Sequence, residues 1–395
     1  MKVIHLKGCY IMRVERTGLG QRLRNSLVAM VLGVVLFFGS FVVLFLNEGR
    51  ENLAGVARGA RLYEATATYD ETDLLYVIGS LSSTAPLSDN YLQAGHYIRL
   101  IREVEMYAYV EIEHTRTREH VGGSQTTEYT YTYEKQWVND PRPTVTYKGV
   151  ASERPTDIPA GYDAWITSMP QSRLDTASNL AINGIPMSSE NLVLSNPKSL
   201  VLSESVVDLA ALTDNETVHP EAIFRRNTET GTLDNPQVGD VRIAYRAVMN
   251  TDEGLLLAAF SEGMFLRYMT PNDNRLYRFF TGTTTLSDAI DRLQDEYTAM
   301  LWILRIVGFV MMFSGLLLMA NPARTLLSVL PIFAKVGMFV YGFFALMSSL
   351  TLSVLVIVLA MLFHNALLAV GVVLLIVLAL IFYLRSKKQK AINAT

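Results

Sequence analysis

The chain has 395 residues, of which half are hydrophobic, a formal net charge of −3 and a single cysteine, Cys9. One cysteine excludes a disulfide-stapled scaffold. The hydrophobic residues are concentrated in a few long segments, which indicates a membrane protein rather than a soluble chain of two or three domains.

Four segments are long and apolar enough to form membrane-spanning helices: residues 27–46, 301–320, 336–363 and 366–384. Residues 27–46 contain no charge, and a helix of that length rises about 30 Å, the thickness of the hydrocarbon core. The apolar region of a signal peptide is shorter, roughly 7–15 residues, so a retained helix is favoured. We predict an integral membrane α-helical bundle of four spans.

The distribution of charge predicts the orientation of the spans. Residues 1–26 carry six basic residues and one acidic residue, the tail 385–395 carries four basic residues, and residues 47–300 carry 21 basic and 36 acidic residues. Basic flanks stay on the cytoplasmic side. We therefore predict that residues 1–26, 321–335 and 385–395 are cytoplasmic. Residues 47–300 are then extracytoplasmic, and their acidity disfavours nucleic-acid binding.

Residues 47–300 read as a large β-rich α+β domain. Apolar and polar residues alternate over residues 98–112, where Arg102 is the one charge on the apolar face, and again over residues 127–137. Period two indicates half-buried strands, and Gly122-Gly123 between them predicts a long hairpin. Residues 241–249 predict a third strand, and residues 74–81 and 256–260 predict weaker ones.

Helices are predicted at three places in this domain. Residues 171–181 and 203–212 are expected to be helical, whereas residues 139–170 are expected to be coil. Residues 286–300 have one apolar face, and Thr285 with Asp288 fits an N-terminal cap. No helix-breaking residue follows, so this helix is expected to continue into the second span.

The sequence offers few groups for catalysis or metal binding. Glu111, Glu113, His114 and His120 lie close together, but the alternation of a strand turns them to different sides, so a polar hairpin end is favoured over a metal site. The tyrosines of residues 127–137 are interpreted as cross-strand packing rather than as a binding stripe. We find no catalytic motif and expect no catalytic residues, no metal and no cofactor.

A cluster of polar residues follows the first span directly. Asn47, Glu48 and Arg50 would emerge at the face where the second span enters, and that span carries Arg305. A charged residue in the middle of a span costs at least about 2.5 kcal/mol, less if it reaches the interface. We hypothesise that Glu48 pairs with Arg305 and clamps the first helix to the C-terminal bundle; the alternatives are a simple stop signal and an arginine that reaches for the interface.

Several short motifs give the chain a family resemblance. They are NEGR after the first span, REVEMY followed by a Tyr- and Thr-rich strand that ends at Trp137, LRIVGFVMMFSGLLLM in the second span, and the later set Thr325, Leu326, Pro331 and Phe333. In these motifs the chain resembles the LUMA family, also called transmembrane protein 43, over roughly residues 23–385. The resemblance implies one N-terminal span, a large non-cytosolic domain, three C-terminal spans and no established catalytic residues.

The resemblance also implies a role in membrane organisation. Animal members of the family are described as endoplasmic-reticulum and inner-nuclear-membrane proteins that oligomerise, and they have been proposed to influence ion conduction. We expect a non-enzymatic scaffold that organises membrane proteins or lipids, as a homo-oligomer in a bacterial inner membrane or, alternatively, in a eukaryotic internal membrane. An ion channel or channel modulator is one rival, and a lipid-handling enzyme that uses His364 is another.

Overall fold

The computed structural model describes residues 13–120, 122–195, 197–250, 252–327 and 331–365, with residues 370, 371 and 374. Cys9, the tail 385–395 and nearly all of the fourth predicted span lie outside the described residues. The chain divides into two compact units. Among the described residues, the helical unit comprises Arg16–Glu51, Thr117–Thr126 and those from Asp295 onward, and the β-rich unit comprises residues 13–15, Asn52–Arg116 and Thr127–Gln294.

Three of the described helices are long and apolar enough to cross a membrane, and they lie at the positions of the first three predicted spans. The helices are α1 (Leu19–Glu48), α2 (Leu53–Ala57), α3 (Tyr162–Ser168), α4 (Leu286–Met319), α5 (Asn321–Leu327) and α6 (Pro331–His364). Short 3-10 turns cover Thr144–Thr146 and Leu209–Ala211. Helix α4 is continuous as predicted, and the backbone N–H of Asp288 donates to the Thr285 hydroxyl at 3.2 Å, which caps its first turn.

Strands dominate the β-rich unit. They are β1 (Arg13–Thr17), β2 (Arg61–Leu62), β3 (Leu75–Ser83), β4 (Leu87–Asp89), β5 (Leu92–Gly95), β6 (Tyr97–Glu119), β7 (Gln125–Val138), β8 (Arg173–Thr176), β9 (Leu180–Ile182), β10 (Ile185–Met187), β11 (Val193–Ser195), β12 (Lys198–Ser199), β13 (Glu216–Val218), β14 (Ile223–Arg225), β15 (Val241–Met249), β16 (Glu253–Ser261), β17 (Met264–Leu266), β18 (Tyr268–Met269), β19 (Arg275–Leu276) and β20 (Arg278–Thr281). The predicted β-rich character is therefore confirmed.

Two eight-stranded sheets form the framework of this unit. The first has the order β1-β7-β6-β15-β14-β13, with β8 paired to β6 and β12 to β15. The second has the order β11-β20-β16-β17-β10-β9-β3-β2, with a further pairing between β16 and β3. Strand β6 contributes Leu100, Val104 and Met106 to a core that also holds Ile243 and Tyr245 of β15, so the alternation seen in the sequence marks its buried face.

Both helices predicted over residues 171–181 and 203–212 are wrong. Arg173–Thr176 forms strand β8 on the edge of β6, and Leu180–Ile182 pairs with both β3 and β10. Within residues 203–212 only Leu209–Ala211 makes a 3-10 turn, while Val206 accepts a backbone hydrogen bond from Gln93. Backbone pairing with distant strands outweighs the weak local preference for helix.

The tip of the hairpin between β6 and β7 contacts the start of α1. Arg22 donates to the backbone oxygen of Gly123 at 2.7 Å and pairs with Glu119 at 2.8 Å. The predicted orientation places Arg22 in the cytoplasm and Glu119 outside it, whereas this contact brings them together. The two predicted sides and the contact are compatible only if the hairpin passes the level of the bilayer.

Candidate functional site

Helix α1 ends within the NEGR motif, which directly follows the apolar segment. Gly49 caps the helix, and the backbone N–H of Arg50 donates to the Asn47 oxygen at 3.3 Å. Each of the four motif residues then makes a separate contact with α4 or with the end of α6. We call this group the helix junction: Asn47, Glu48, Gly49 and Arg50 of the motif, Tyr297, Leu301, Trp302 and Arg305 of α4, and His364 of α6.

The strongest contact at the helix junction is a two-pronged ion pair. Arg305 Nε donates to Glu48 Oε1 and Nη2 donates to Oε2, both at 2.8 Å. The side chains are 15% and 3% exposed, respectively. Bidentate charge-assisted bonds are among the strongest in proteins, and a buried carboxylate without such a partner would carry a large desolvation cost. The structure thus brings together the two residues that the sequence hypothesis paired.

The Arg305 guanidinium also lies 4.9 Å from the centre of the Trp302 ring. This is a cation–π distance, and Trp is the most favourable ring for it. Nε and Nη2 are occupied by Glu48, and Nη1 has no hydrogen-bond partner among the described residues. Arg305 therefore retains donors that the described chain does not use.

Asn47 and Arg50 hold the same two helices at neighbouring levels. Asn47 is 1% exposed, and its Nδ2 donates to the Leu301 backbone oxygen at 3.0 Å. Its Oδ1 is buried and unpaired within the described part of the chain. The Arg50 guanidinium lies 5.9 Å from the centre of the Tyr297 ring. Tyr297, Leu301 and Arg305 are four residues apart, so they form the single stripe of α4 that faces the motif.

Gly49 is required for space rather than for its backbone angles. Its φ is −88°, which any residue can adopt. A Cβ atom there would lie 2.6 Å from His364 Cδ2, inside the contact distance that real Cβ atoms keep. The His364 ring packs 4.7 Å from the Phe45 ring, and its Nδ1 is 2.9 Å from the Ala360 oxygen. His364 therefore lies over the end of α1, although much of its side chain is exposed.

Glycines allow α1 and α4 to approach closely below the junction. A Cβ on Gly33 would meet the Gly315 oxygen at 2.7 Å, and a Cβ on Gly315 would meet the backbone nitrogen of Phe37 at 2.8 Å. Small residues at such crossings let helix backbones pack tightly in membranes. The ion pair at the junction and the glycine crossing thus hold the same pair of helices at two levels.

The acidic and histidine residues of the hairpin do not converge on one point. The Glu111 carboxylate accepts from the Tyr133 hydroxyl at 2.6 Å, and Glu113 accepts from the Tyr131 hydroxyl at 2.9 Å. His114 contacts Thr132 and His120 contacts Thr126. No group of three His, Cys, Asp or Glu side chains among the described residues could hold a metal ion. The tyrosines thus bond across the hairpin, as the cross-strand interpretation expects.

The environment of Glu111 shifts its titration. Burial raises the pKa of a carboxyl group, but here the Tyr133 hydroxyl and the backbone N–H groups of Gly149 and Lys148 all donate to it. Together they hold the pKa of Glu111 below its ordinary value. A charged form stabilised by three donors anchors the segment after β7 to the hairpin.

Sequence reasoning missed the buried ion pair of the β-rich unit. Arg102 Nη1 donates to both oxygens of Asp89 at 2.8 Å, and the Tyr245 hydroxyl donates to Asp89 at 2.6 Å. The side chains of Arg102 and Asp89 are 8% and 2% exposed. The signal was present, since Arg102 is the single charge on an apolar face, but its partner lies on another strand that periodicity does not identify.

Comparison with known proteins places the chain in a family. A family profile described as transmembrane protein 43 matches residues 106–366. The transmembrane protein 43 of Mus musculus is 27% identical over 361 residues, covering 85% of this chain and 84% of the relative. That of Homo sapiens is 26% identical over 364 residues, covering 86% and 85%. No solved structure matches the chain significantly. Since the profile covers well over half of the chain, this protein is a member of the transmembrane protein 43, or LUMA, family.

Proposed function

We propose that this protein is a non-enzymatic membrane scaffold that organises other membrane proteins or lipids. The observation that carries the proposal is the helix junction. Its charged groups are used to hold helix ends together: Glu48 is neutralised by Arg305, and His364 is packed against Gly49. A charged pair that is buried in this way supports rigidity rather than turnover.

The surface of the helical unit supports a role in assembly. Helix α1 exposes Val28 and Phe38 at 67% and 61%, and α6 exposes Phe343 and Phe344 at 55% and 62%. In a bilayer such side chains contact lipid or other helices, and helices associate there through packing rather than through the hydrophobic effect. We propose that some of this surface is covered by further copies of the chain or by other membrane proteins.

We further propose that the protein lies in a bacterial cytoplasmic membrane with both termini in the cytoplasm. The basic residues of 1–26 and of the tail 385–395 support this orientation, because positively charged flanks are retained on that side. Residues 47–300 would then form the extracytoplasmic part that meets partners.

The test is the mass distribution of the protein extracted with its native lipid, with every co-purifying component identified. We expect a discrete homo-oligomer or a complex with other membrane proteins. A lone monomer would contradict assembly with protein partners, and one that also carries no bound lipid would contradict the scaffold altogether. As a variant, Glu48→Arg should reduce the assembled species, because it disrupts the bundle that presents the surface. Glu204→Arg, an exposed acid elsewhere, is the matched control and should leave the distribution unchanged.

A further inference from the structure

The helix junction leaves a charged donor unused in a membrane-spanning segment. Arg305 lies four residues after Leu301, about 6 Å along the helix axis. Its Nη1 carries two N–H groups without an acceptor among the described residues, and its side chain is 15% exposed. Nη1 is therefore free to donate to an acceptor from outside the described chain, and in an apolar surrounding such a bond is favourable.

The surface beside Arg305 indicates what supplies that acceptor. Trp302 is 56% exposed and lies against the guanidinium, and Ile303 and Ile306 of α4 are 54% and 59% exposed. Val310, one turn after Ile306 on α4, is 49% exposed. These apolar side chains belong to candidate spans and face acyl chains, while Trp rings favour the level of lipid headgroups. A guanidinium above an apolar surface matches the shape and charge of a phospholipid.

We propose that the surface formed by Trp302, Arg305, Ile306 and Val310 of α4 binds one glycerophospholipid, whose phosphate oxygen accepts from Arg305 Nη1. Arginine is suited to this role because its other donors hold Glu48 at the same time, and a planar guanidinium can bond an acid on one edge and a phosphate on another. The acyl chains lie along Ile306 and Val310, and the headgroup lies beside the Trp302 ring. The site needs only that α1 and α4 lie in a bilayer, so it does not depend on the scaffold role.

Titration of the delipidated protein with phosphatidylglycerol, read by native mass spectrometry, tests the site. Trp302→Leu leaves the Glu48–Arg305 pair in place and should weaken the tightest bound lipid roughly fivefold to tenfold, because it removes the ring that holds the guanidinium and flanks the headgroup. Arg305→Lys should weaken it as well, because a single ammonium cannot serve Glu48 and the phosphate with the same geometry. Phe344→Ala, an exposed aromatic of α6, is the matched control and should bind as the wild type does.

Two further ligands distinguish the chemistry. Diacylglycerol with the same acyl chains lacks the phosphate and should bind at least about tenfold more weakly than phosphatidylglycerol. Inorganic phosphate should not compete, because it lacks the chains that hold the lipid on the apolar surface. Equal binding of diacylglycerol and phosphatidylglycerol, or equal binding to wild type and Trp302→Leu, would overturn the proposal. Thermal unfolding of each variant shows whether weaker lipid binding results from loss of the fold. A folded Trp302→Leu protein that binds phosphatidylglycerol with unchanged affinity would rule the site out.

Discussion

At the scale of residues, Gly49 tests how closely α6 approaches the end of α1. We expect Gly49→Ala to destabilise the helical unit by about 1–3 kcal/mol, the usual cost of overpacking, because its Cβ would press on the His364 ring. Thermal unfolding in nanodiscs measures the loss. Adding His364→Ala should recover much of it. Gly39→Ala, whose Cβ would meet only Met311 at an ordinary 3.6 Å, is the control. A Gly49→Ala protein as stable as the control would contradict this packing.

The Glu111 carboxylate gives a prediction for acid stability. Because its pKa is lowered on folding, it contributes stability above its unfolded pKa near 4.5, and this stability is lost as the pH falls through the folded value. Thermal unfolding between pH 7 and pH ~3 should therefore show a smaller decline for Glu111→Gln than for the wild type. Glu229→Gln is the control. If stability declined with pH equally in the wild type and in Glu111→Gln, the Glu111 carboxylate would not contribute to acid stability.

The sequence suggested the pairing of Glu48 with Arg305, which the structure brings together, because both residues were expected at the same depth in the membrane. Glu48 and Arg305 could be paired because the ends of two adjoining spans fix the level of both residues. The contact between Gly49 and His364 could not be found in this way, since neither residue has an unusual local pattern. Asp89 was missed for a different reason. Its partner Arg102 is fixed by the order of the strands, which a single sequence does not reveal.

At the scale of elements, the crossing of α1 and α4 depends on two glycines. We expect Gly315→Val to separate the helices, because a Cβ at this position already meets the backbone of Phe37 at 2.8 Å. The free energy of unfolding should fall by about 1–3 kcal/mol, because the Phe37 backbone cannot move aside as a side chain does. Cross-linking of cysteine pairs between α1 and α4 measures the separation. Gly342→Ala, where the added Cβ meets open space, should leave cross-linking unchanged; unchanged cross-linking in Gly315→Val would contradict the crossing.

Elements with a strong period were predicted well. Strand β15 has the predicted bounds Val241–Met249, and β6 and β7 overlap the two predicted hairpin strands. The false helix over residues 171–181 shows the limit, because β8 and β9 are only four and three residues long and carry little periodicity. A local signal did exist nearby: Asn183-Gly184, both with positive φ, forms the tight turn between β9 and β10.

At the scale of the whole molecule, the hairpin tip provides a test of orientation. To stay beside Arg22 in a membrane, both hairpin strands would have to pass the bilayer, where each charged residue costs at least about 2.5 kcal/mol. Against this cost stand the Arg22–Glu119 pair, the Arg22 bond to Gly123 and the pairing of β1 with β7, but every charged residue in the crossing part of both strands, Arg116 and Arg118 among them, adds to the cost. We therefore expect the bilayer to break this contact and keep the tip on the side opposite residues 1–26.

The single cysteine makes this measurable with impermeant thiol reagents. Cys9 reports the side of the N-terminus, and Ser124→Cys in a Cys9→Ser background reports the side of the hairpin tip. The expected result is labelling from opposite sides. Labelling of both positions from one side would show that the contact persists and that the hairpin crosses the bilayer level within protein or water.

Charge reversal at the helix junction tests the central claim most directly, namely that Glu48 and Arg305 clamp the first span to the C-terminal helices. Glu48→Arg and Arg305→Glu should each destabilise the helical unit by roughly 3–5 kcal/mol, because each leaves like charges buried together. The double variant restores an opposite pair, and the thermal unfolding of all four proteins in nanodiscs gives the coupling between the sites. The account predicts that the double variant recovers at least half of the stability lost by the less stable of the two single variants. A double variant no more stable than the single variants would show that the pair does not hold the bundle.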